Sequence, residues 1–277
     1  MRKSKNLLLI LILTVLFVVF SALIIWGRRE KDIKEDVEQE EIVETEPVID
    51  FSKIESISGK YYYEDEHFAS SFGIDVSEFL EDIDWKKVKE DKVEFAYMRI
   101  GRRGATTGLL YDDEEFEINY RGARENGIKV GVYFFSQAVN EKEAIEEAEW
   151  VLERLKGKQI DLPVVYDCEE VYLEDEVQRI EGLDAKQLTD NTLAFMHRIE
   201  EEGYETMVYT YQYWADTFYE MDRLASYPIW FAQYDTQEPG FDYPITIWQY
   251  SKYGTINGID GATDLNIMFI RKDDRPE

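Results

Sequence analysis

The chain has 277 residues, a formal net charge of −28 and a single cysteine, Cys168. Such acidity excludes a protein that binds nucleic acid by neutralising phosphates, and the sequence shows no stripe of Lys and Arg with interleaved aromatic residues. One cysteine excludes an intramolecular disulfide, and two distant histidines, His67 and His197, are too few for a zinc site.

The first predicted element is the uncharged apolar run Leu7–Trp26. As a helix, a run of this length spans the ~30 Å hydrocarbon layer of a bilayer. The alternative, a cleavable signal peptide, would have a shorter apolar region ending in small residues, whereas Gly27, Arg28 and Arg29 follow here. We predict a short cytoplasmic tail over residues 1–6 and a retained transmembrane signal anchor over residues 7–26. Basic residues flank the run on both sides and leave its orientation open, so the placement of the rest of the chain on the extracellular face of the cell membrane is an expectation that rests on the family resemblance given below.

The next segment is strongly acidic and contains no aromatic residue between Glu30 and Asp50. Such a composition cannot bury enough apolar surface to become ordered. We predict a flexible acidic linker over residues 27–70 that holds the globular part away from the membrane.

From Phe72 onward, short runs rich in Val, Ile, Tyr and Phe alternate with amphipathic charged segments. The predicted strands are Phe72–Ser77, Glu94–Gly101, Lys129–Ser136, Leu162–Glu169, Thr206–Tyr211, Pro228–Tyr234, Ile245–Ser251 and Ala262–Phe269. The predicted helices are Asp84–Asp91, Asp112–Asn126, Glu141–Leu155, Asp184–Glu202 and Tyr213–Ser226. Helices that start after Asp and end before Gly are typical.

Repeated βα units predict a parallel sheet, and eight strands predict that the sheet closes into a barrel. A regular eight-helix barrel needs ~250 residues, more than this part of the chain offers. The sequence therefore predicts the α/β class, as an irregular TIM-like barrel with eight strands and about five helices over residues 71–272, followed by a tail over 273–277.

Four carboxylates are predicted to meet at one mouth of this barrel. Asp167 and Glu169 end the fourth strand at a spacing of two residues, so both face the same side, while Cys168 faces the outer layer. Asp75 and Asp264 lie on the first and eighth strands, which become neighbours when the barrel closes. Active sites of such barrels lie at the carboxyl ends of the strands.

Four carboxylates in one pocket repel each other unless some hold protons or bind a cation. A carboxyl group with a raised pKa can act as a general acid, and glycoside hydrolysis pairs such an acid with a second carboxylate. The alternative is Mg²⁺ or Ca²⁺ binding for phosphoryl chemistry, but the sequence offers neither histidines nor a phosphate-binding glycine loop. We predict no metal and no cofactor.

Polar and aromatic side chains in the predicted strands are candidates for binding a substrate. Aromatic rings with a polar tip suit sugar rings, which predicts substrate contacts for Tyr133, Tyr211, Trp230 and Tyr234, although aromatic residues also fill barrel cores. Two polar residues stand in otherwise apolar strands. We expect Arg99 to pair with a site carboxylate and Gln249 to hydrogen-bond to ligand or backbone.

Seven motifs occur in the order found in the glycoside hydrolase family 25 lysozymes, which are N-acetylmuramidases, and the resemblance covers about Phe72 to Phe269. The motifs are Gly73–Ser77, Phe95–Arg99, Gly127–Tyr133, Leu162–Glu169, Ile229–Tyr234, Trp248–Tyr250 and Gly258–Asn266. The resemblance implies an irregular β/α barrel and hydrolysis of peptidoglycan glycan strands, at the β-1,4 bond between N-acetylmuramic acid and N-acetylglucosamine.

The same resemblance implies a role for each acid. Glu169 would be the general acid/base, and Asp167 would orient the N-acetyl group of the substrate as that group assists the displacement. Asp75 and Asp264 would shape the floor and tune the pKa values. The chain departs from the family in carrying Cys168 between two of the acids, and in being acidic where the secreted lysozymes are basic.

Two alternatives to a membrane-anchored muramidase stay open. One is a chitinase-like glycosidase that also uses substrate assistance, although that type usually has another Asp at the position of Val165. The other is an inactive barrel that only binds the cell wall.

Overall fold

The computed structural model describes Trp26 and residues 47–80, 82–172 and 176–274. From Val48 onward the chain forms one compact unit. Among the described residues, no helix has both the length and the apolar character needed to cross a bilayer. The anchor predicted over residues 7–26 lies, apart from Trp26, outside this part of the chain and stays a prediction.

Eleven strands, numbered in chain order, occur in the described ranges. They are β1 (Glu55–Ile57), β2 (Lys60–Tyr62), β3 (Phe68–Val76), β4 (Phe95–Arg103), β5 (Leu110–Asp112), β6 (Lys129–Phe135), β7 (Val164–Asp167), β8 (Thr206–Tyr211), β9 (Ile229–Ala232), β10 (Ile247–Gly254) and β11 (Thr263–Arg271). Eight of them close the predicted barrel in the order β3-β11-β10-β9-β8-β7-β6-β4, with β4 pairing again with β3. The hairpin β1–β2 and the short strand β5, antiparallel to β4, were not predicted.

The barrel strands run parallel with one exception. β11 is antiparallel to both of its neighbours, β10 and β3, so the prediction of a parallel sheet was wrong for this strand. The reason is the connection over residues 255–262, which turns through Gly258 and Gly261 at positive φ and is too short for a helical crossover. Asp264 consequently lies near the start of its strand, yet at the same pole as the ends of the parallel strands.

From residue 47 onward, the described ranges contain five α-helices, one after each of the first five barrel strands, as predicted. They are α1 (Trp85–Glu90), α2 (Phe116–Glu125), α3 (Glu141–Leu155), α4 (Ala185–Glu200) and α5 (Gln212–Phe218). Asp84 and Asp184 cap α1 and α4 by accepting hydrogen bonds from backbone N–H groups. The helix predicted over Tyr213–Ser226 is shorter, because the chain is extended at Tyr219 and continues as a 3₁₀ turn over Met221–Arg223.

Side chains alternate between two apolar layers. Phe95, Tyr97, Val165 and Met207 belong to the cluster inside the barrel. The second cluster lies between the barrel and the helices and includes the residues that alternation placed on the outer side, namely Ile74, Val76, Cys168 and Leu265. The neighbouring acids of these outer residues therefore face the interior of the barrel.

Residues 48–70 belong to the folded unit. The ring of Phe51 lies 6.2 Å from that of Trp248 and 5.7 Å from that of Phe269, and Tyr61 stacks on Tyr250 at 4.0 Å. The domain boundary predicted at residue 71 is therefore too late. The prediction followed the acidic composition of this segment and did not take account of Phe51 and Tyr61, which pack on the barrel. Phe51 and Tyr61 cover the outer side of β10 and β11. The loops that precede these strands, 233–246 and 255–262, contain no helix that could cover them instead.

Candidate active site

All four predicted carboxylates line one cleft of about 580 Å³ at the pole where the parallel strands end. Asp75 and Asp264 stand directly opposite each other on the antiparallel pair β3 and β11. Asp167 is the last residue of β7, and Glu169 follows two residues later on the same side. The parity of the strands thus brings together four groups that are far apart in the sequence.

Asp75 is 8% exposed and is held by two amide side chains. Its Oδ2 accepts hydrogen bonds from Gln249 Nε2 at 2.9 Å and from Asn266 Nδ2 at 2.7 Å. Asn266 is held in turn, because its Oδ1 accepts from Trp230 Nε1 at 2.8 Å. Burial raises the pKa of Asp75 to about 6, and the two amide hydrogen bonds limit the rise.

Asp167 lies equally deep, at 6% exposure, but has no such support. Its Oδ1 is buried and has no hydrogen-bond partner in the described part of the chain. Burial raises the pKa of Asp167 well above its usual value, and the nearby charges of Glu169 and Asp75 add to the rise, which Arg99 opposes. A buried acceptor without a donor is costly, so this oxygen is suited to a donor that a bound ligand supplies.

Glu169 and Asp264 are partly exposed to the cleft. Burial, followed by the charge of Asp75, raises the pKa of Glu169 to about 7. Burial and the charges of Asp75 and Glu169 raise the pKa of Asp264 to about 8, against the lowering effect of Lys252. Because these groups interact, they titrate as a set, and near neutral pH some of them hold protons. Among the described residues, no group of three or more Asp, Glu, His or Cys side chains could hold a metal ion.

The backbone around Asp167 and Glu169 is fixed from the end of β6. The backbone N–H of Ser136 donates to the carbonyl of Asp167 at 2.7 Å, and Gln137 Nε2 donates to the carbonyl of Glu169 at 2.9 Å. Ser136 Oγ also donates to Glu147 Oε2 at 2.6 Å. We did not predict roles for Ser136, Gln137 or Glu147, although Ser136 ends the predicted strand Lys129–Ser136 and Gln137 follows it, which is a polar signal at the mouth.

Behind this contact, Glu147 forms a buried ion pair with Arg103, whose Nε lies 2.7 Å from Glu147 Oε1. Burial raises the pKa of Glu147 to about 7, although its hydrogen bond from Ser136 and the charge of Arg103 lower it. The pair joins α3 to the end of β4 and so supports the side of the cleft that carries Asp167.

Five of the six predicted substrate-binding residues line the cleft: Arg99, Tyr133, Trp230, Tyr234 and Gln249. Trp230 is only 2% exposed and packs against Tyr97 inside the barrel, so little of its ring is available to a ligand. The sixth, Tyr211, does not line the cleft. It borders a separate depression with Tyr172 and Gln178.

The misplacement of Tyr211 has a simple geometric reason. Tyr209 and Tyr211 share one face of β8, but Tyr211 lies one step farther along, where it packs against Trp214 on α5. Tyr209 lines the cleft in its place. The alternation of side chains predicted the correct face of the strand. It does not predict which residue on that face lies level with the cleft.

The two polar strand residues differ from what we expected. Arg99 contacts Asp113 Oδ2 and Glu78 Oε1, each at 2.8 Å, and pairs with none of the four carboxylates. Gln249 bonds to side chains and not to backbone: besides donating to Asp75, its Oε1 accepts from the hydroxyl groups of Tyr234 at 2.5 Å and Tyr209 at 3.2 Å. Gln249 thereby links the floor carboxylate to two aromatic residues of the cleft wall.

Comparison with known proteins gives consistent results. Residues 74–259 match the family model described as "Glycosyl hydrolases family 25". A relative, the autolytic lysozyme of Clostridium acetobutylicum, is 31% identical over 198 residues, which make up 70% of this chain and 54% of that protein.

Two solved structures share the fold. The modular autolysin LytC from Streptococcus pneumoniae, in complex with a synthetic peptidoglycan ligand, superimposes with a TM-score of 0.66 at 26% identity, over 78% of this chain and 52% of that one. A bacterial lysozyme from Streptomyces coelicolor gives a TM-score of 0.58 at 27% identity, over 71% of this chain and 90% of that one. The chain thus spans about half the length of the clostridial lysozyme and of LytC.

Proposed function

Because this chain belongs to glycosyl hydrolase family 25, we propose that it is a muramidase that hydrolyses the β-1,4 bond between N-acetylmuramic acid and N-acetylglucosamine in peptidoglycan. The clostridial relative is a lysozyme, and LytC was solved with a peptidoglycan ligand, which supports this substrate class. The proposal rests mainly on Asp167 Oδ1, which is buried and has no hydrogen-bond partner among the described residues. Asp167 lines the same cleft as Glu169.

In the proposed reaction, Glu169 is the general acid. A pKa of about 7 keeps a large share of this carboxyl group protonated at neutral pH, so it can donate its proton to the glycosidic oxygen as the bond to the leaving sugar breaks. The resulting carboxylate then accepts a proton from the water that completes hydrolysis.

Asp167 has the complementary role. The N–H of the substrate's N-acetyl group donates to Asp167 Oδ1, which has no hydrogen-bond partner among the described residues, and this hydrogen bond lowers the raised pKa of Asp167. The ionised carboxylate orients the acetyl oxygen toward the anomeric carbon and stabilises the positive charge that develops there. Asp75 and Asp264 act from the floor, where the charge of Asp75 raises the pKa of Glu169.

The aromatic residues of the cleft wall are proposed to contact the sugar rings. Tyr133, Tyr209 and Tyr234 line the cleft, and their rings can pack against the C–H faces of a pyranose while the hydroxyl groups hydrogen-bond. Gln249 fixes two of these hydroxyl groups and leaves the third, that of Tyr133, for substrate.

The experiment is digestion of purified peptidoglycan by the full chain in detergent, with mass spectrometry of the released ends. New reducing muramic acid ends are expected. Reducing glucosamine ends or cleavage of chitin would indicate the chitinase-like alternative, and binding without products would indicate an inactive wall-binding barrel.

We further propose that residues 7–26 anchor the protein in the cell membrane with the barrel outside. The support is the length and apolar character of this run. Protease added to intact wall-free cells should digest the barrel. A barrel protected until the membrane is lysed would contradict the proposal.

A further inference from the structure

The acidity of the chain makes the binding of peptidoglycan a problem of charge. The net charge is −28, and the stem peptides on muramic acid residues carry carboxylates. Like charges repel at long range and slow association. An acidic protein that binds this polymer therefore needs local positive charge where the substrate enters.

Four cationic side chains line the cleft, and two of them are used inside the protein. Arg99 is 6% exposed and pairs with the buried Asp113, while Arg103 is 4% exposed and pairs with the buried Glu147. Because these guanidinium groups are both buried and neutralised, neither is available to a ligand at the rim.

Arg102 is the third cation and is paired at a longer distance than Arg99 and Arg103. Its Nη2 lies 3.3 Å from Glu78 Oε1, an oxygen that Arg99 Nη2 already contacts at 2.8 Å. Arg99 also pairs with Asp113 at 2.8 Å, so two carboxylates balance the two guanidinium groups, and Arg102 makes the longer contact. The Arg102 side chain is 35% exposed and is positioned over the ring of Tyr111 at 4.8 Å, which leaves a fixed, accessible positive charge at the cleft.

Lys252 is the fourth cation and makes no ion pair within the described ranges. It is exposed on β10, and its Nζ lies 5.4 Å from the centroid of the Tyr234 ring, which forms part of the cleft wall. The charge of Lys252 also acts on the cleft, since Lys252 lowers the pKa of Asp264. Arg102 and Lys252 lie on different walls, since β3 and β11 separate β4 from β10 in the barrel.

We propose that Arg102 and Lys252, the cationic rim, bind carboxylates of the stem peptides, so that the cleft selects glycan whose muramic acid residues carry acidic peptides. This inference rests on the proposed muramidase function and names its substrate more closely. Where its lactyl carboxyl groups are in amide linkage to stem peptides, the glycan backbone carries no charge, so a pair of rim cations can act only on charged substituents. Two separated cations also suit peptides that leave the cleft on different sides.

The test measures binding without cleavage, in the full chain carrying Glu169→Gln. Lys252→Gln and Arg102→Gln are added singly, and Lys129→Gln is the matched control, because Lys129 is an exposed lysine at the start of β6, at the opposite pole. The probes are glycan fragments with intact stem peptides, the same fragments after the stem-peptide carboxylates have been converted to amides, and peptide-free fragments that carry a phosphate polymer. Unfolding curves check that each variant is folded.

Each rim variant is expected to weaken binding of the fragments with intact stem peptides about fivefold, an effect that added salt reduces, with unchanged binding of the fragments whose peptide carboxylates are amidated. The Lys129 variant should bind all probes as the parent does. Equal losses on both glycans, no loss at all, or a loss confined to the phosphate-bearing probe would each overturn the inference. Turnover by the unmodified chain is followed separately: without reducing muramic acid ends the proposed function fails, while the binding comparison still decides this inference.

Discussion

The two walls of the cleft hold their carboxylates in opposite ways. On the β3 and β11 wall, Asp75 receives hydrogen bonds from Gln249 and Asn266. On the β7 wall, Asp167 and Glu169 are fixed through their backbone carbonyls, and Asp167 Oδ1 has no partner among the described residues. The difference teaches that Asp75 is held by the protein itself, whereas Asp167 keeps one oxygen that we propose the substrate completes.

The largest effect is expected from Glu169→Gln, which removes the proton donor of the β7 wall. A positioned general acid/base contributes typically ~10²–10⁴-fold, so kcat should fall about a thousandfold. Glu170→Gln is the matched control, because it makes the same change at the adjacent exposed residue. Release of muramic acid ends measures both variants; comparable activity in the two would refute the assigned role.

Asp167→Asn should follow, with kcat lowered about a hundredfold and KM little changed. An amide in this place still fits the cleft, but it cannot offer the charge that stabilises the reacting N-acetyl group. Steady-state kinetics on soluble glycan fragments separates the two parameters. A rise in KM with unchanged kcat would instead show that Asp167 only binds substrate.

Gln249→Leu should have a smaller effect and acts on the opposite wall. It removes one of the two donors to Asp75, so the pKa of Asp75 rises and its charge no longer supports protonation of Glu169 as strongly. We expect about a tenfold loss in kcat/KM, with the alkaline limb of the pH profile moved to lower pH. Asn266→Leu, which removes the other donor, should move the limb in the same direction; an unmoved limb in both variants would contradict the link between the walls.

The smallest effect concerns stability. Glu169 has a raised pKa of about 7 in the folded protein, so between its unfolded value of 4.5 and pH 7 the folded state binds more protons than the unfolded state. Stability therefore falls as pH rises through this window. Glu169→Gln removes that loss and should be more stable than the unmodified chain by about 3 kcal/mol at pH 8, with no gain at pH 4. Urea unfolding at the two pH values measures it, and an equal gain at both would show a different cause.

Much of the fold follows from local patterns. Eight apolar runs separated by capped amphipathic segments predicted the barrel, and Asp84 and Asp184 cap helices as their positions indicated. The direction of β11 was missed, because strand patterning is the same in both directions. The packing of residues 48–70 was missed as well, since Phe51 and Tyr61 find their partners on distant strands.

For the site, the sequence predicted which face the acids occupy but not how they are supported. Asp75, Asp167 and Glu169 were placed by alternation alone. The exchange of Tyr211 for Tyr209, the pairing of Arg99 with Asp113, and the roles of Ser136 and Gln137 depend on distances between strands that no local pattern records.

The claim that the β7 wall is completed by substrate is tested most directly by the acetyl group itself. Glycan fragments with N-acetylated muramic acid are compared with the same fragments after removal of that acetyl group, and the rate of bond cleavage is measured for the unmodified chain and for Asp167→Asn. We predict that the unmodified chain loses at least a hundredfold on the deacetylated glycan, and that the two proteins cleave that glycan at similar low rates. Equal cleavage of both glycans by the unmodified chain would contradict the account.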